Sequence, residues 1–492
     1  MDNCPEVRLG IAAVSRACFP KELAERRRDE VVRHCRQNGV PLSVIGTVVE
    51  TEADVPAALA QIRGAGINAL VVYLGNFGPE GPETLLAAKF GGPTMFAGAA
   101  EERTAGLMTD RGDAYCGMLN ASYNLGLRGL SPHIPERPVG TPEEVAAMLA
   151  EFIPVAGILI GLGRLKVFSF GPRPQDFLAC NAPIKPLYDL GVEIMENSEL
   201  DLYEAFIDAK DDPMIGEVAG DMAAEPGVAH RYPEAIPAMA QYEVALRSFL
   251  GKNIGASEYA VFANKCWPAF ERFFGFVPCY VNSRLTMRGI PVSCEVDIYG
   301  AVSEYMALCA AGLPPTLLDI NNTVPEDMYL KETNALGDYG PSDIFMGFHC
   351  GNTPSCLLAN PEVTHHKIMY RLLEDGKTPE VTRGTMEGRI KAGPITLFRL
   401  QATADARLQA YAAEGDVVDI DPKSFGSIGV IGVKQMARFY RHVLIEKQFP
   451  HHTAVSPAHV GRRLFYALRM LGISNIYYNR RENDRYPTEC PF

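Results

Sequence analysis

A chain of 492 residues exceeds what one ordinary hydrophobic core organises, so two or three domains are expected, and 47% hydrophobic with 21% charged residues is a globular rather than a disordered composition. A net charge of -13 excludes nucleic acid as the main partner, because phosphate backbones call for a concentrated basic surface. The 12 cysteines are scattered with no Cys-x-x-Cys pair, which excludes a zinc knuckle or a disulfide framework and points to the reduced thiols of a cytoplasmic protein.

The amino terminus, Met1-Asp2-Asn3, has no basic-then-apolar leader pattern. The longest apolar runs, such as Val155 to Leu162, fall short of the ~20 residues that span a bilayer, so no membrane partner is expected. From Val7 the chain alternates short apolar runs with helix-spaced charged ones: strand to Ala13, helix from Pro20 to Gln37, strand from Leu42 to Val48, helix from Val55 to Ala65, strand from Ala69 to Leu74. This predicts a parallel α/β domain, with Asn76, Gly78 and Gly81 after the last strand on the side where such sheets place ligands. The run Arg26-Arg27-Arg28, followed at once by Asp29 and Glu30, reads as a solvated helix face.

Pro132, Pro135 and Pro138 interrupt the pattern, and Thr141-Pro142-Glu143-Glu144 then has the form of a capping box leading into a helix over Val145 to Phe152. A second α/β unit follows: strand Arg164 to Phe170, turn Gly171-Pro172-Arg173-Pro174, helix to Leu190, strand Val192 to Met195. Residues 208 to 237, rich in Gly, Pro, Asp and Ala, read as a long surface excursion, and helical spacing returns at Met239 to Leu250 and Tyr259 to Phe274. Beyond about residue 325 the texture changes to short strands with glycine punctuation: Ile344 to His349, Val381 to Ile390, Ile395 to Gln401 and Val417 to Ile420. Helices near 431 to 447 and 457 to 471 close the chain. The expected architecture is therefore two Rossmann-like parallel α/β domains, 1–138 and 139–324, followed by a mainly antiparallel β-rich C-terminal domain, 325–492.

The chemistry concentrates in Gly289-Ile-Pro-Val-Ser-Cys-Glu295-Val-Asp297-Ile-Tyr299-Gly300. A strand ending near Cys294, a helix to about Ala311 and a second strand Thr316-Leu-Leu-Asp319-Ile would put Glu295 and Asp319 at the carboxyl ends of neighbouring strands, facing one cleft. Two carboxylates that close repel each other unless a cation or a shared proton relieves them, so the pair points to a metal site or an acid/base pair. Downstream, His349 and the adjacent His451-His452 are the available imidazoles. Considered singly, Asp297 and Glu304 suit a helix first turn and a helix surface, and His365-His366, within a polar stretch, suits surface exposure.

The segments Lys265-Cys-Trp-Pro-Ala-Phe270, Gly289 to Ala301 and Leu318-Asp319-Ile-Asn321-Asn322 resemble the fucose isomerase family and its relatives among the arabinose isomerases. The loop Gly171-Pro-Arg173-Pro-Gln-Asp-Phe177 resembles the family's as well. The resemblance implies a divalent ion, Mn²⁺ or similar, held by Glu295, Asp319 and His452, the second of the histidine pair. It also offers His349 as a further ligand, in the manner of the arabinose enzymes, and substrate contacts from Arg16, Trp267, Asn321 and His451. It further implies a small-molecule sugar substrate and a homo-oligomer, a hexamer with active sites completed across subunits, the N-terminal domain contributing to a neighbour's site.

Moving a proton between C1 and C2 of an aldose requires stabilising the enediolate, which a cation on O1 and O2 achieves as a Lewis acid, and proton carriers, which Glu295 and Asp319 supply. The expected activity is metal-dependent aldose–ketose isomerisation of a pentose or 6-deoxyhexose. A sugar-binding or regulatory protein on the same scaffold, and a metal-dependent hydrolase or lyase of a sugar derivative, are the competing classes. The chain has no Gly-x-Ser-x-Gly elbow, no Walker phosphate loop and no G-x-G-x-x-G after the first strand, which speaks against a serine hydrolase, an ATPase and a nicotinamide enzyme.

Overall fold

The alternation read from the first 140 residues builds a five-stranded parallel sheet in the computed structural model, which describes residues 3–490. Its order is Ser43–Val49, Leu9–Val14, Ala69–Leu74, Thr94–Ala99 and Val139–Gly140. The three central strands are buried at every position, as continuous apolar runs in parallel sheets are. This sheet belongs to a unit formed by Pro5–Gly161 and Phe465–Ile473. A second unit holds residues 3–4, 162–464 and 474–490 of the described chain.

Two readings of the N-terminal unit need correction. Arg27 and Arg28 are buried rather than solvated. Arg27 donates to the Gly75 carbonyl at 2.9 Å and pairs with Glu101 at 2.8 Å. Three consecutive helical residues sweep about 200° of the helix circumference, so they cannot all face water. The run Val155 to Leu162 is the end of one 21-residue helix, Pro142–Leu162, entered through the expected capping box between Thr141 and Glu144. By length and composition that helix would suffice to cross a membrane, but 61% of its most apolar window is buried inside the fold, as in a packed core helix.

The second unit combines two sheets. A four-stranded parallel sheet runs in the order Val292–Ser293, Tyr259–Ala263, Leu165–Phe170, Glu193–Asn197. The larger sheet has ten strands, and six of them close on themselves: Leu408–Val418, Gly393–Ala402, His452–Ser456, Thr316–Asn322, Ile344–His349, Ser427–Gly432 and back to the first. Every neighbour in this ring is antiparallel, which makes it a barrel with no free edge among its six members. The mixed α/β architecture with parallel sheets and an antiparallel C-terminal region thus matches the sequence pattern.

Three local expectations fail. Tyr259–Ala263, read as the start of a helix reaching Phe274, is an inner strand of the parallel sheet, because a short apolar run fits a buried strand as well as a helix and only Phe270–Phe274 is helical. The excursion over 208–237 contains the helix Met214–Ala223, whose Val218 and Met222 join the core, and the strand Ala229–His230, which pairs with Leu358–His365. Gly216 and Gly220 look like breakers, yet the apolar residues one turn apart give the segment a face to bury. Thr316–Asn322, expected beside the strand ending at Cys294 and parallel to it, instead lies in the barrel, antiparallel to both its neighbours. A strand–helix–strand pattern specifies the connection but not which sheet receives the second strand.

Candidate metal centre

Glu295 follows the short strand Val292–Ser293, and both Glu295 and Val296 adopt left-handed backbone conformations, with φ of 51° and 56°. For a β-branched valine this is a strained geometry, and such strain persists only where the surroundings over-determine it. The next residue, Asp297, caps the helix Ile298–Ala311 by accepting from the Gly300 amide at 2.8 Å. Gly300 is required there, since a Cβ would lie 2.4 Å from Ser293 Oγ and 2.7 Å from Asp297 Oδ2. The turn therefore aims Glu295 away from its own sheet and toward the barrel.

Barrel register supplies the rest. Asp319 is paired directly with His452 on the adjacent strand, so their side chains emerge on one face. His452 Nε2 lies 3.4 Å from Glu295 Oε2 and 3.5 Å from Asp319 Oδ1. His349 is the last residue of the strand on the other side of Asp319, and its Nε2 is 3.8 Å from Glu295 Oε2. His451 Nε2 is 3.6 Å from Asp319 Oδ1. The structure thus brings Glu295, Asp319, His349, His451 and His452 into one cluster.

The other face of the His452 ring is fixed: Nδ1 donates to Asp297 Oδ2 at 2.8 Å, and Cys180 Sγ approaches the same nitrogen at 3.6 Å. With the proton on Nδ1, the Nε2 lone pair faces two carboxylate oxygens, Glu295 Oε2 and Asp319 Oδ1, both buried and without a hydrogen-bond partner. Once an ion displaces the second proton that the raised pKa of His452 otherwise holds on Nε2, three acceptors converge with no donor between them, so the residues present fit a metal. Among the described residues, three groups of side chains have ligand atoms within 4.8 Å of one another: Asp319, His451 and His452; Cys294, Glu295 and His349; Cys180, Asp297 and His452.

Burial works against charge throughout, and neighbours overrule it. Glu295 is buried, yet the facing His349 and His452 imidazoles hold its carboxyl well below the ordinary range. Asp297 is likewise buried but held low by the Arg399 guanidinium and His452. Burial would depress His452, but its contacts with Asp297, Cys180 and Glu295 lift it well above the usual imidazole value. At Glu304 burial, aided by the nearby Asp297 carboxylate, outweighs His452 and Arg399 and pushes it up to about 8.

The remaining candidates divide. Phe177, in the loop singled out by sequence, places its ring 5.4 Å from His451, 6.1 Å from His452 and 6.5 Å from Trp267, forming an aromatic wall. Trp267 packs beside Cys266, Val277 and Cys279. Asn321 is exposed and lines a separate cavity of about 410 Å³ with Asn322, Thr323 and Tyr440. Arg16 belongs to the N-terminal unit, where it pairs with Glu80 at 3.3 Å and lies 4.7 Å over the Phe77 ring.

Sequence reasoning undervalued several groups. Asp297 is more than a first-turn residue, and Glu304, read as a helix-surface acid, is 1% exposed. His366 is buried, not a surface histidine; its Nδ1 accepts from the Met369 amide at 3.1 Å as a helix cap. Arg399 went unnoticed. A lone arginine inside the apolar run Ile395 to Gln401 was the available signal, because a buried guanidinium must have an acid partner.

Residues 10–163 match the family model for the fucose/sulfoquinovose isomerase N-terminal domain, and residues 347–479 match that for the L-fucose isomerase C-terminal domain. The sulfoquinovose isomerase of Alkalicoccus urumqiensis is 28% identical over 333 residues, 66% of this chain and 68% of that one. That of Priestia aryabhattai is 27% identical over 346 residues, 69% and 70% of the two chains. A solved galactofuranose binding protein overlaps 58% of this chain and 81% of its own at 9% identity and a TM-score of 0.15, too slight to define a shared fold. Domain matches toward both ends and relatives of one activity, matched over about two thirds of their length, define an aldose–ketose isomerase. The chain belongs to the L-fucose isomerase family.

Proposed function

We propose that this isomerase acts on a 6-deoxyhexose or a pentose and uses Mn²⁺ or a similar divalent ion held by Glu295, Asp319 and His452, with His349 as a further ligand. Sulfoquinovose, a 6-deoxyhexose bearing a sulfonate, is the first substrate to test, because the relatives carry its name. The observation that carries the reading is the convergence of His452 Nε2 on two partnerless carboxylate oxygens at 3.4 and 3.5 Å. When bound, the ion supplies Lewis-acid stabilisation of the charge that develops on O1 and O2.

The protein's own groups carry the proton. The C–H beside a carbonyl is weakly acidic, so one carboxylate takes the proton from C2 and a carboxylate returns it to C1, while the O2 hydroxyl proton passes to O1. Glu295, kept ionised by its imidazole neighbours, is fit to be a base, and Asp319 is the second carboxylate with a free oxygen in the cluster. Phe177 and Trp267 supply an apolar wall for the sugar's C–H face, and the partly exposed His451 a polar contact at the rim. Arg16, contributed by a neighbouring subunit, is proposed to reach a substrate hydroxyl, whereas Asn321, which opens on a separate cavity, is not.

A homo-oligomer is supported by the N-terminal unit's helix Ala114–Leu127, which has no charged residue and exposes Tyr115, Leu119, Tyr123 and Leu127 by 67% to 77%. Spaced four apart, these side chains form one apolar stripe, the kind of surface a soluble chain covers with a partner. A ketose-formation assay of metal-stripped protein against aldopentoses, 6-deoxyhexoses and sulfoquinovose, with and without Mn²⁺, tests the function. Turnover that requires added Mn²⁺ is expected; equal turnover in excess chelator would refute the metal's role.

A further inference from the structure

We infer that Asp297, Arg399 and Gln401 form a buried clamp that fixes the ring of His452, and are positioning residues of the metal centre. The inference rests on the reading of His452 as a metal ligand. Arg399 is fully buried, on the barrel strand Gly393–Ala402. A guanidinium withdrawn from water is tolerated only when its nitrogens are paired, and here each of the three has a partner. Nη1 donates to Asp297 Oδ2 at 2.5 Å and Nη2 to Asp297 Oδ1 at 2.9 Å, while Nε and Nη2 both donate to Gln401 Oε1, at 3.0 and 2.6 Å. Arg399 and Gln401 are two residues apart on one strand, hence on the same face.

The geometry acts in series. Gln401 holds the guanidinium plane, the two parallel bonds from that plane set the Asp297 carboxylate, and Asp297 Oδ2 receives the His452 Nδ1 proton at 2.8 Å. The Gly300 amide pins Asp297 Oδ1 from the helix side at 2.8 Å. Three elements, a helix amino terminus and two barrel strands, therefore converge to fix one tautomer and one ring orientation, the one that points Nε2 at Glu295 and Asp319. A well-packed apolar cluster would commonly stabilise such a core at least as well as a buried ion pair, so stability alone gives no reason for this arrangement. Orientation of a metal-binding imidazole does, because carboxylate partners of ligand histidines tune both tautomer and affinity.

The test compares Arg399→Lys, Gln401→Met, Gln401→Glu and His452→Ala with the wild type. Mn²⁺ binding to metal-stripped protein is measured by titration calorimetry, with circular dichroism and thermal melting to verify folding. Lysine cannot reproduce the two-pronged contact, so Arg399→Lys should weaken Mn²⁺ by about 10- to 100-fold. Gln401→Met, which leaves the Arg399–Asp297 pair intact and covers the case of an unfolded Arg399→Lys, should weaken it by about 3- to 10-fold, and Gln401→Glu, which keeps an acceptor, by less. Folded Arg399→Lys and Gln401→Met proteins with wild-type Mn²⁺ affinity would overturn the clamp, provided His452→Ala loses binding. Unchanged binding in His452→Ala would instead overturn the ligand assignment itself, and the clamp with it.

Discussion

Replacing Glu295 with glutamine exchanges a buried anion for a neutral amide of nearly the same shape, at the oxygen that lies 3.4 Å from His452 and has no partner of its own. Two losses follow. As an acid/base group Glu295 is worth about 10²- to 10⁴-fold in rate, or about 3 to 5 kcal/mol of barrier. As a ligand it contributes to an affinity read from thermal stability: with Mn²⁺ at 100 times its Kd the folded state gains about 2.7 kcal/mol, and a 100-fold weaker site retains about 0.4 kcal/mol at the same concentration. The E295Q protein should therefore lose at least 100-fold in kcat and most of its Mn²⁺-induced rise in Tm, with an unchanged far-UV spectrum. Steady-state ketose formation and paired melts with and without Mn²⁺ read both quantities. Activity within tenfold of wild type, or an undiminished Mn²⁺ shift, would refute the assignment of Glu295.

Two predictions concern the N-terminal unit. Glu83 is fully buried with neither oxygen partnered, and burial pushes its carboxyl up to about 8 from an ordinary 4.5. Folding then keeps a proton that the unfolded chain releases above its own lower value, so stability falls as pH rises from the unfolded value toward the folded one. Relative to wild type, E83Q should gain about 2 to 3 kcal/mol between pH 5 and pH 7.5, measured by urea unfolding; parallel pH profiles would show that Glu83 is ionised in the fold. L119D should lower the oligomeric state in size-exclusion chromatography with light scattering, while leaving the circular dichroism spectrum unchanged, because a side chain 67% exposed contributes little to the monomer. Unchanged mass would remove the helix Ala114–Leu127 from the interface.

Local signals were legible in the sequence wherever one element could satisfy itself. Ala69–Leu74 and Ile344–His349 appear where their apolar runs place them, and the capping box before Pro142 forms as written. Glu295, Asp319 and His452 stand together as the motif spacing and the resemblance expected, though the route differs: Asp319 reaches the cluster from a barrel strand, through its register with His452. What stayed hidden depends on distant partners. Nothing local distinguishes a buried Arg27 from the exposed Arg26 beside it, or the capping His366 from a surface histidine. The ring of six strands is equally invisible, since its closure is a pairing between Leu408–Val418 and Ser427–Gly432 that a list of strands does not contain.

The contact between Asp297 and His452 joins positions 155 residues apart, and between them lie five of the six strands of the barrel, the sixth beginning at His452 itself. Bringing such distant segments together costs loop-closure entropy before any contact rewards it, which delays their formation during folding. A nascent or partly refolded chain can thus possess its parallel sheets and helices while the histidine that completes the cluster is still unattached. Competence to bind the ion becomes a late reporter of maturation, and Mn²⁺ added at the start of refolding should hasten recovery of activity no more than Mn²⁺ added once the barrel has closed.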